Sequence, residues 1–160
     1  MTLNFKKLIC QFAFGATVAY ALFGLSSVQA ADVAAGEKLF GRCTACHAVG
    51  PGAINKIGPQ LNGVVGRQAG IVVGYDYGTG IIAARGAIGE DVDGNGYLDV
   101  PEGYSGLVWT EENLVVYLLN PKKFLVDYTK DPKAKVKMAF NMKKDEDRAN
   151  VIAYLKTIGL

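Results

Sequence analysis

The sequence holds one histidine and three cysteines in 160 residues. A single histidine removes every metal site built from several imidazoles and leaves His47 as the one seat of histidine chemistry. Three cysteines close at most one disulfide within the chain, so disulfide staples do not hold this fold. Neither sign of charge is in excess: Lys+Arg 17 against Asp+Glu 15 leaves +2, which argues against a nucleic-acid binder held by bulk positive charge. No internal repeat is present. What is plentiful is apolar: hydrophobic residues make up 50% of the chain, enough at this length for one domain with a core, and this excludes a disordered reading.

No apolar run reaches the roughly 20 residues that span a bilayer. The longest, Leu8 to Phe23, is interrupted by Gln11 and Thr17, follows Lys6 and Lys7, and leads to Val28-Gln29-Ala30. A basic start, an apolar stretch and a small-residue cleavage site are the parts of an export signal. Residues 1–30 are expected to be a signal peptide cleaved near Ala30, with the domain at 31–160 released in the periplasm; an uncleaved anchor is the competing reading. Cys10 leaves with the signal. So do Lys6 and Lys7, and the mature chain then balances 15 basic against 15 acidic side chains. Its remaining cysteines and its histidine, Cys43, Cys46 and His47, lie within five consecutive residues.

Helical patterning is expected over 34–42, where Ala35, Leu39 and Phe40 share a face and Gly36 permits close approach of another helix. Residues 49–106 are rich in glycine, carry Pro51, Pro59 and Pro101, and show no sustained period. Helix resumes behind Thr110 as N-cap, with Leu114, Val115, Leu118 and Leu119 as the expected buried stripe. A short helix is expected from Pro121 to Val126. A last one runs from about Lys144 to Thr157, with Asp145, Glu146 and Asp147 near its start. A long loop of this kind inside a compact domain makes sense if it wraps something large and apolar.

The run Cys43-Thr44-Ala45-Cys46-His47 supplies that object. Two thiols three residues apart on one side of a helical turn can add to the two vinyl groups of a haem, while the adjacent imidazole turns onto the iron. Chance alone would produce about 0.0003 such runs from this composition. The competing readings are a thioredoxin-like pair, which lacks a β-α-β context, a zinc site, which lacks further ligands, and a Cys43–Cys46 disulfide, which leaves His47 unexplained. On the far side of the iron the candidate thioethers are Met138 and Met142, and either could instead fill a core gap. A thioether favours Fe(II) and raises the reduction potential.

Together with CTACH at 43–47, the segments GPQLNGVVGR at 58–67, GYDYG at 74–78, VWTEENLVVYLLNPKKF at 108–124, KMAF at 137–140 and KKDEDRANVIAYLK at 143–156 resemble the class I cytochromes c, in the family's own order. The insertion at 126–136 resembles the longer bacterial members of the cytochrome c2 type. About 30 residues around 79–106 fall outside the resemblance. It implies an all-α fold of three main helices, short ones and long loops around one covalent haem. It implies Met138 as sixth ligand, leaving Met142 to the core. It implies Phe140 beside the haem edge, Pro59 accepting from His47, Tyr77 and Trp109 donating to a propionate, Arg67 offsetting its charge, and Tyr117 near Met138. Gly36 and Phe40 are implied to pack on Val151 and Tyr154.

Two features lie beyond that resemblance. Residues 91–102 match the calcium-loop pattern D-x-[DN]-x-[DN]-G-x5-E, with Asp91, Asp93, Asn95, the Tyr97 carbonyl, Asp99 and Glu102 as oxygen donors. Gly86, Gly89, Pro101 and Gly103 spoil the flanking helices of an EF-hand, so calcium binding stands beside a plain solvated turn. Charge is also polarised. Residues 90–112 carry seven acids and no base, and residues 122–144 carry eight lysines against Asp127 and Asp131. Lys122, Lys123, Lys135, Lys137, Lys143 and Lys144 surround the Met138 edge and are expected to receive acidic redox proteins.

These readings converge on a periplasmic one-electron carrier with His/Met-ligated haem c. It is expected to be a monomer, without nucleic-acid partners or lasting membrane insertion, serving respiratory, photosynthetic or dehydrogenase partners. The alternatives are a peroxidase-like haem enzyme or gas binder, which lacks a distal histidine, and a calcium-modulated redox module.

Overall fold

A computed structural model describes residues 30–159. The signal expected at 1–30 lies, apart from Ala30, outside the described residues. Within them five helices form: α1 (Val33–Phe40), α2 (Thr79–Ala84), α3 (Glu111–Leu119), α4 (Pro121–Thr129) and α5 (Asp145–Lys156). No strand is present among the described residues, only isolated bridges that pair Gln68 with Val108 and Val72 with Tyr97.

Helix α1 starts where the Asp32 carboxylate accepts from the N–H groups of Ala34 and Ala35 at 2.9 and 3.1 Å, a cap worth about 1 kcal/mol. The Asp32 N–H donates in turn to Asn150 Oδ1 on α5 at 2.8 Å, so the cap also fixes how the two helices meet. They meet backbone to backbone at Gly36, where a Cβ would fall 2.0 Å from the Asn150 carbonyl oxygen and 2.9 Å from Tyr154 Cβ. Phe40 and Tyr154 close the far end with ring centroids 5.5 Å apart. The expected partner Tyr154 is in place, but Asn150 rather than Val151 lies against Gly36. Val151 faces the core, 1% exposed.

Helix α3 is capped as its sequence requires, with Thr110 Oγ1 accepting from the Asn113 N–H at 3.2 Å. Its stripe is narrower than expected. Leu114 and Leu118 are buried, Val115 only packs against the core, and Leu119 is 38% exposed. Asn120 ends α3 and its side chain caps α4 through the Lys123 N–H at 3.0 Å. Helix α4 outruns the expected end at Val126 because Tyr128 stacks on Phe124 one turn back, with centroids 6.0 Å apart, and Thr129 Oγ1 donates to the Leu125 carbonyl. Lys130 then stops it in the left-handed region at φ 58°.

Helix α2 lies in the glycine-rich stretch, where six residues are too few to show a period. Its Gly80, Ile81 and Ala84 are buried, and it packs on α4. The segment that follows is stitched down by backbone bonds, Leu98 N–H to Ile71, Val73 N–H to Gly96 and Leu107 N–H to Ala84, at 2.8 to 3.0 Å. On α5, Arg148 is 3% exposed and donates to the carbonyls of Met142 and Lys143 while pairing with Asp145 at 2.5 Å. That side chain ties the loop before α5 to the helix itself.

At Gly36 the added methyl of an alanine would overlap the α5 backbone. Gly36→Ala must push α1 off α5 and is expected to lower the unfolding free energy of the holoprotein by about 3 kcal/mol in urea titration. Gly159→Ala, with nothing within 4 Å of the added methyl, is the control and should change little.

Candidate functional site

Helix α1 gives way at Phe40 to consecutive turns in which the N–H groups of Cys46 and His47 both donate to the Cys43 carbonyl, at 3.0 and 2.9 Å. This winding sets Cys43, Cys46 and His47 along one cleft of about 380 Å³. No disulfide joins Cys43 to Cys46. Burial pushes the Cys43 thiol up, and the neighbouring Arg42 pulls it partly back. The imidazole is held from behind: His47 Nδ1–H donates to the Pro59 carbonyl at 2.7 Å, as expected. A carbonyl only accepts, so Nδ1 keeps the proton and Nε2 keeps a lone pair for a metal. Burial lowers the His47 pKa against the opposing pull of that bond, which keeps the ring neutral at pH 7. Gly58 makes the close approach possible, since a Cβ there would fall 2.3 Å from His47 Cε1.

Met138 lies on the lining of the same cleft, with Lys137, Ala139 and Phe140. Met142 does not; it is 1% exposed inside the core. The loop carrying Met138 has no helix of its own and is clipped to α2 and the residues before it. Gly80 N–H donates to the Lys135 carbonyl at 3.0 Å, Lys135 N–H to Thr79 Oγ1 at 3.1 Å, and Lys137 pairs with Asp76 at 2.6 Å. The Arg42 guanidinium lies 5.0 Å from the centre of the Phe140 ring.

Pro59, Arg67, Tyr77, Trp109 and Tyr117 line the cleft as well. Arg67 is 8% exposed, and no carboxylate pairs with it among the described residues. Nη1 donates to the Asn62 carbonyl at 2.6 Å and Nη2 to Gln60 at 3.3 Å, while Nε is buried without a partner. An uncompensated buried charge costs roughly several kcal/mol. A ligand suited to this cleft has an apolar body for Leu61, Val64, Ile81, Leu114, Leu118 and Leu155, and an acidic edge for Arg67. Haem with its propionates has that chemistry, and the two thiols stand where it would be attached. Tyr77 accepts from the Val72 N–H at 3.3 Å, and burial pushes its phenol up to about 12, so it remains an O–H donor. Burial pushes Tyr117 higher still, and Trp109 packs against its ring at 4.7 Å between centroids.

Two polar lining residues, Arg42 and Tyr75, were not singled out from the sequence. Arg42 carries no motif. Tyr75, whose hydroxyl donates to the Ile57 carbonyl at 2.8 Å and whose ring meets Tyr77 edge-on at 4.7 Å, had a signal: two residues apart on extended chain, both rings point one way.

The calcium expectation is not supported by the geometry. Among the described residues no three His, Cys, Asp or Glu side chains gather where a metal ion could be held. The oxygens of the loop are taken up by the loop: Gly96 N–H donates to Asp91, Asn95 to Asp93, Tyr97 N–H to Asn95 and Val92 N–H to Asp99. Asp93, Asn95, Asp99 and Glu102 are exposed, no helix flanks the loop, and the one orphan, Asp91 Oδ1, stands alone. The lysines Lys122, Lys123, Lys135, Lys137, Lys143 and Lys144 are all exposed. They are not equally available. Lys123 pairs with Asp127, Lys137 with Asp76, and the Lys122 ammonium donates to the Ala134 carbonyl, while Lys135, Lys143 and Lys144 form no ion pair among the described residues.

No protein-family model matches the chain. Individual relatives do. Cytochrome c2 of Rhodospirillum rubrum is 40% identical over 127 residues, covering 79% of this chain and 97% of the relative. Cytochrome c2 of Cereibacter sphaeroides is 36% identical over 168 aligned positions, covering 100% of this chain and 99% of the relative. The solved structure of cytochrome c2 from Rhodospirillum centenum superposes with a TM-score of 0.66 at 36% identity, covering 81% of this chain and 99% of that one. Among the described residues no helix is long and apolar enough to cross a membrane. The chain belongs to the cytochrome c2 family of class I cytochromes c, as an electron-transfer protein with one covalently bound haem c and not as an enzyme.

Proposed function

We propose that the protein is a periplasmic one-electron shuttle whose haem is attached through Cys43 and Cys46 and whose iron is held by His47 and Met138. The observation that carries this ligand set is the parting of the two thioethers, Met138 on the cleft and Met142 sealed in the core. When bound, the haem supplies reversible exchange of one electron between Fe(II) and Fe(III). The chain's own residues keep everything else still. Pro59 fixes the imidazole tautomer, the Lys137–Asp76 pair and α2 hold the Met138 loop, and Arg67, Tyr77 and Trp109 offer donors to the acidic edge. Residues 1–30 serve as the export signal, and the mature chain works as a monomer. Acidic redox proteins dock at the lysine edge, chiefly on Lys135, Lys143 and Lys144, which form no ion pair among the described residues.

Ligation by Met138 separates the shuttle from a peroxidase-like or gas-binding haem protein, which needs an open iron position. Reduced wild-type protein and Met142→Ala are expected to refuse carbon monoxide, while Met138→Ala binds it. Met142→Ala instead loses about 2 to 5 kcal/mol of stability as a core cavity. Carbon monoxide binding by the wild type, or by Met142→Ala alone, would reverse the assignment.

Docking by charge has its own signature. Electron-transfer rates with an acidic partner are expected to fall steeply as the screening length shrinks from about 30 Å at 0.01 M salt to about 8 Å at 0.15 M. Lys143→Gln with Lys144→Gln should flatten that dependence, and a rate indifferent to salt in the wild type would contradict it.

A further inference from the structure

In the acidic segment after α2, the Tyr97 side chain reaches Arg67. The backbone at Tyr97 is bridged to Val72, flanked by the Leu98 N–H bond to Ile71 at 2.8 Å and the Val73 N–H bond to Gly96 at 3.0 Å. That anchoring presents the Tyr97 ring to the Arg67 guanidinium, with Cζ 5.3 Å from the ring centre. The hydroxyl accepts from Gln60 Nε2 at 2.6 Å and donates to the Asn62 carbonyl at 3.3 Å. Asn62 is also the carbonyl that takes Arg67 Nη1, so Tyr97 and Arg67 are fixed on one shared acceptor. Tyr97 does not reach the cleft lining, whereas Arg67 does. Its ring therefore covers the guanidinium from outside the cleft.

We infer that Tyr97 is a positioning residue for the redox centre: it seals the buried Arg67 charge against water and holds it toward the acidic edge of the haem, so that the segment bearing the calcium-like sequence acts as a redox-tuning strap. The inference rests on the reading that the cleft holds haem with a propionate beside Arg67. A cation fixed in a dry pocket beside the haem favours Fe(II), and the same cation reached by water is screened. The face of an aromatic ring suits a guanidinium without cancelling its charge, as a carboxylate in that place would.

The test is an optically monitored redox titration of wild-type, Tyr97→Leu and Tyr97→Phe holoproteins. Tyr97→Leu is expected to shift the equilibrium about threefold toward Fe(III), a midpoint fall of about 28 mV at 59 mV per tenfold for one electron. Tyr97→Phe, which keeps the ring and loses only the hydroxyl anchor, falls between. In an Arg67→Met background the Tyr97→Leu shift vanishes, because Tyr97 acts through Arg67. Should that background not take up haem, hydrogen exchange of the Arg67 Nε–H in the reduced protein gives an independent reading, expected to quicken about tenfold in Tyr97→Leu. A midpoint unchanged in Tyr97→Leu, or the same shift persisting without Arg67, overturns the inference and leaves the haem reading intact. A wild-type protein that matures without covalent haem overturns both.

Discussion

A guanidinium buried in an apolar cleft has to be answered by a negative charge, and among the described residues no carboxylate supplies one. Arg67 finds two carbonyls and an aromatic face there, and its Nε is buried without a partner among those residues. The same cleft draws side chains from segments far apart in sequence, from Arg42 just after α1 to Leu155 on α5. The walls are therefore shaped around a ligand with an acidic edge and a large apolar body. Covalent attachment makes that ligand part of the core, so that stability and redox chemistry depend on the same contacts.

An electron carrier works best when little moves as the charge on the iron changes. Here the residues of the cleft are held by bonds between segments far apart in sequence. Pro59 holds the His47 ring, Gly58 lets the chain close on that ring, and the Met138 loop is clipped to Asp76, Thr79 and Gly80. Long loops without regular structure become rigid in this way, through partners rather than through helix. The α1–α5 contact at Gly36 does the same on a larger scale, with Asp32 both starting α1 and binding Asn150 on α5. The exposed lysines divide along the same line: Lys123 and Lys137 are paired, and Lys135, Lys143 and Lys144 form no ion pair among the described residues.

Much of this was legible in the sequence where local chemistry decides the outcome. CTACH points to haem attachment through its spacing, and the structure winds that run into turns that set both cysteines and His47 along one cleft, while Thr110 marks the start of α3 because its hydroxyl satisfies a helix N–H. The ends of helices were less legible: α4 runs on past Val126 through a ring stack that periodicity does not register. Residues 91–102 show the limit most clearly. A metal-loop pattern names residue types in order, but it does not say whether their oxygens converge, and here Asx-type bonds within the loop use them instead. The contact between Tyr97 and Arg67 joins two segments with no period, thirty residues apart, and only the fold brings it into view. Pairing of Lys137 with Asp76 was hidden for the same reason, since a run of lysines reads as one face until each partner is known.

The most direct measurement is a redox titration of the mature holoprotein followed by visible absorption, run once with excess calcium and once with a chelator. The expected result is a single one-electron Nernstian transition at the positive end of the haem range, as His/Met ligation requires, with the same midpoint in both solutions. A low-potential transition would contradict ligation by Met138, and midpoints that separate with calcium would contradict a loop that satisfies its own oxygens.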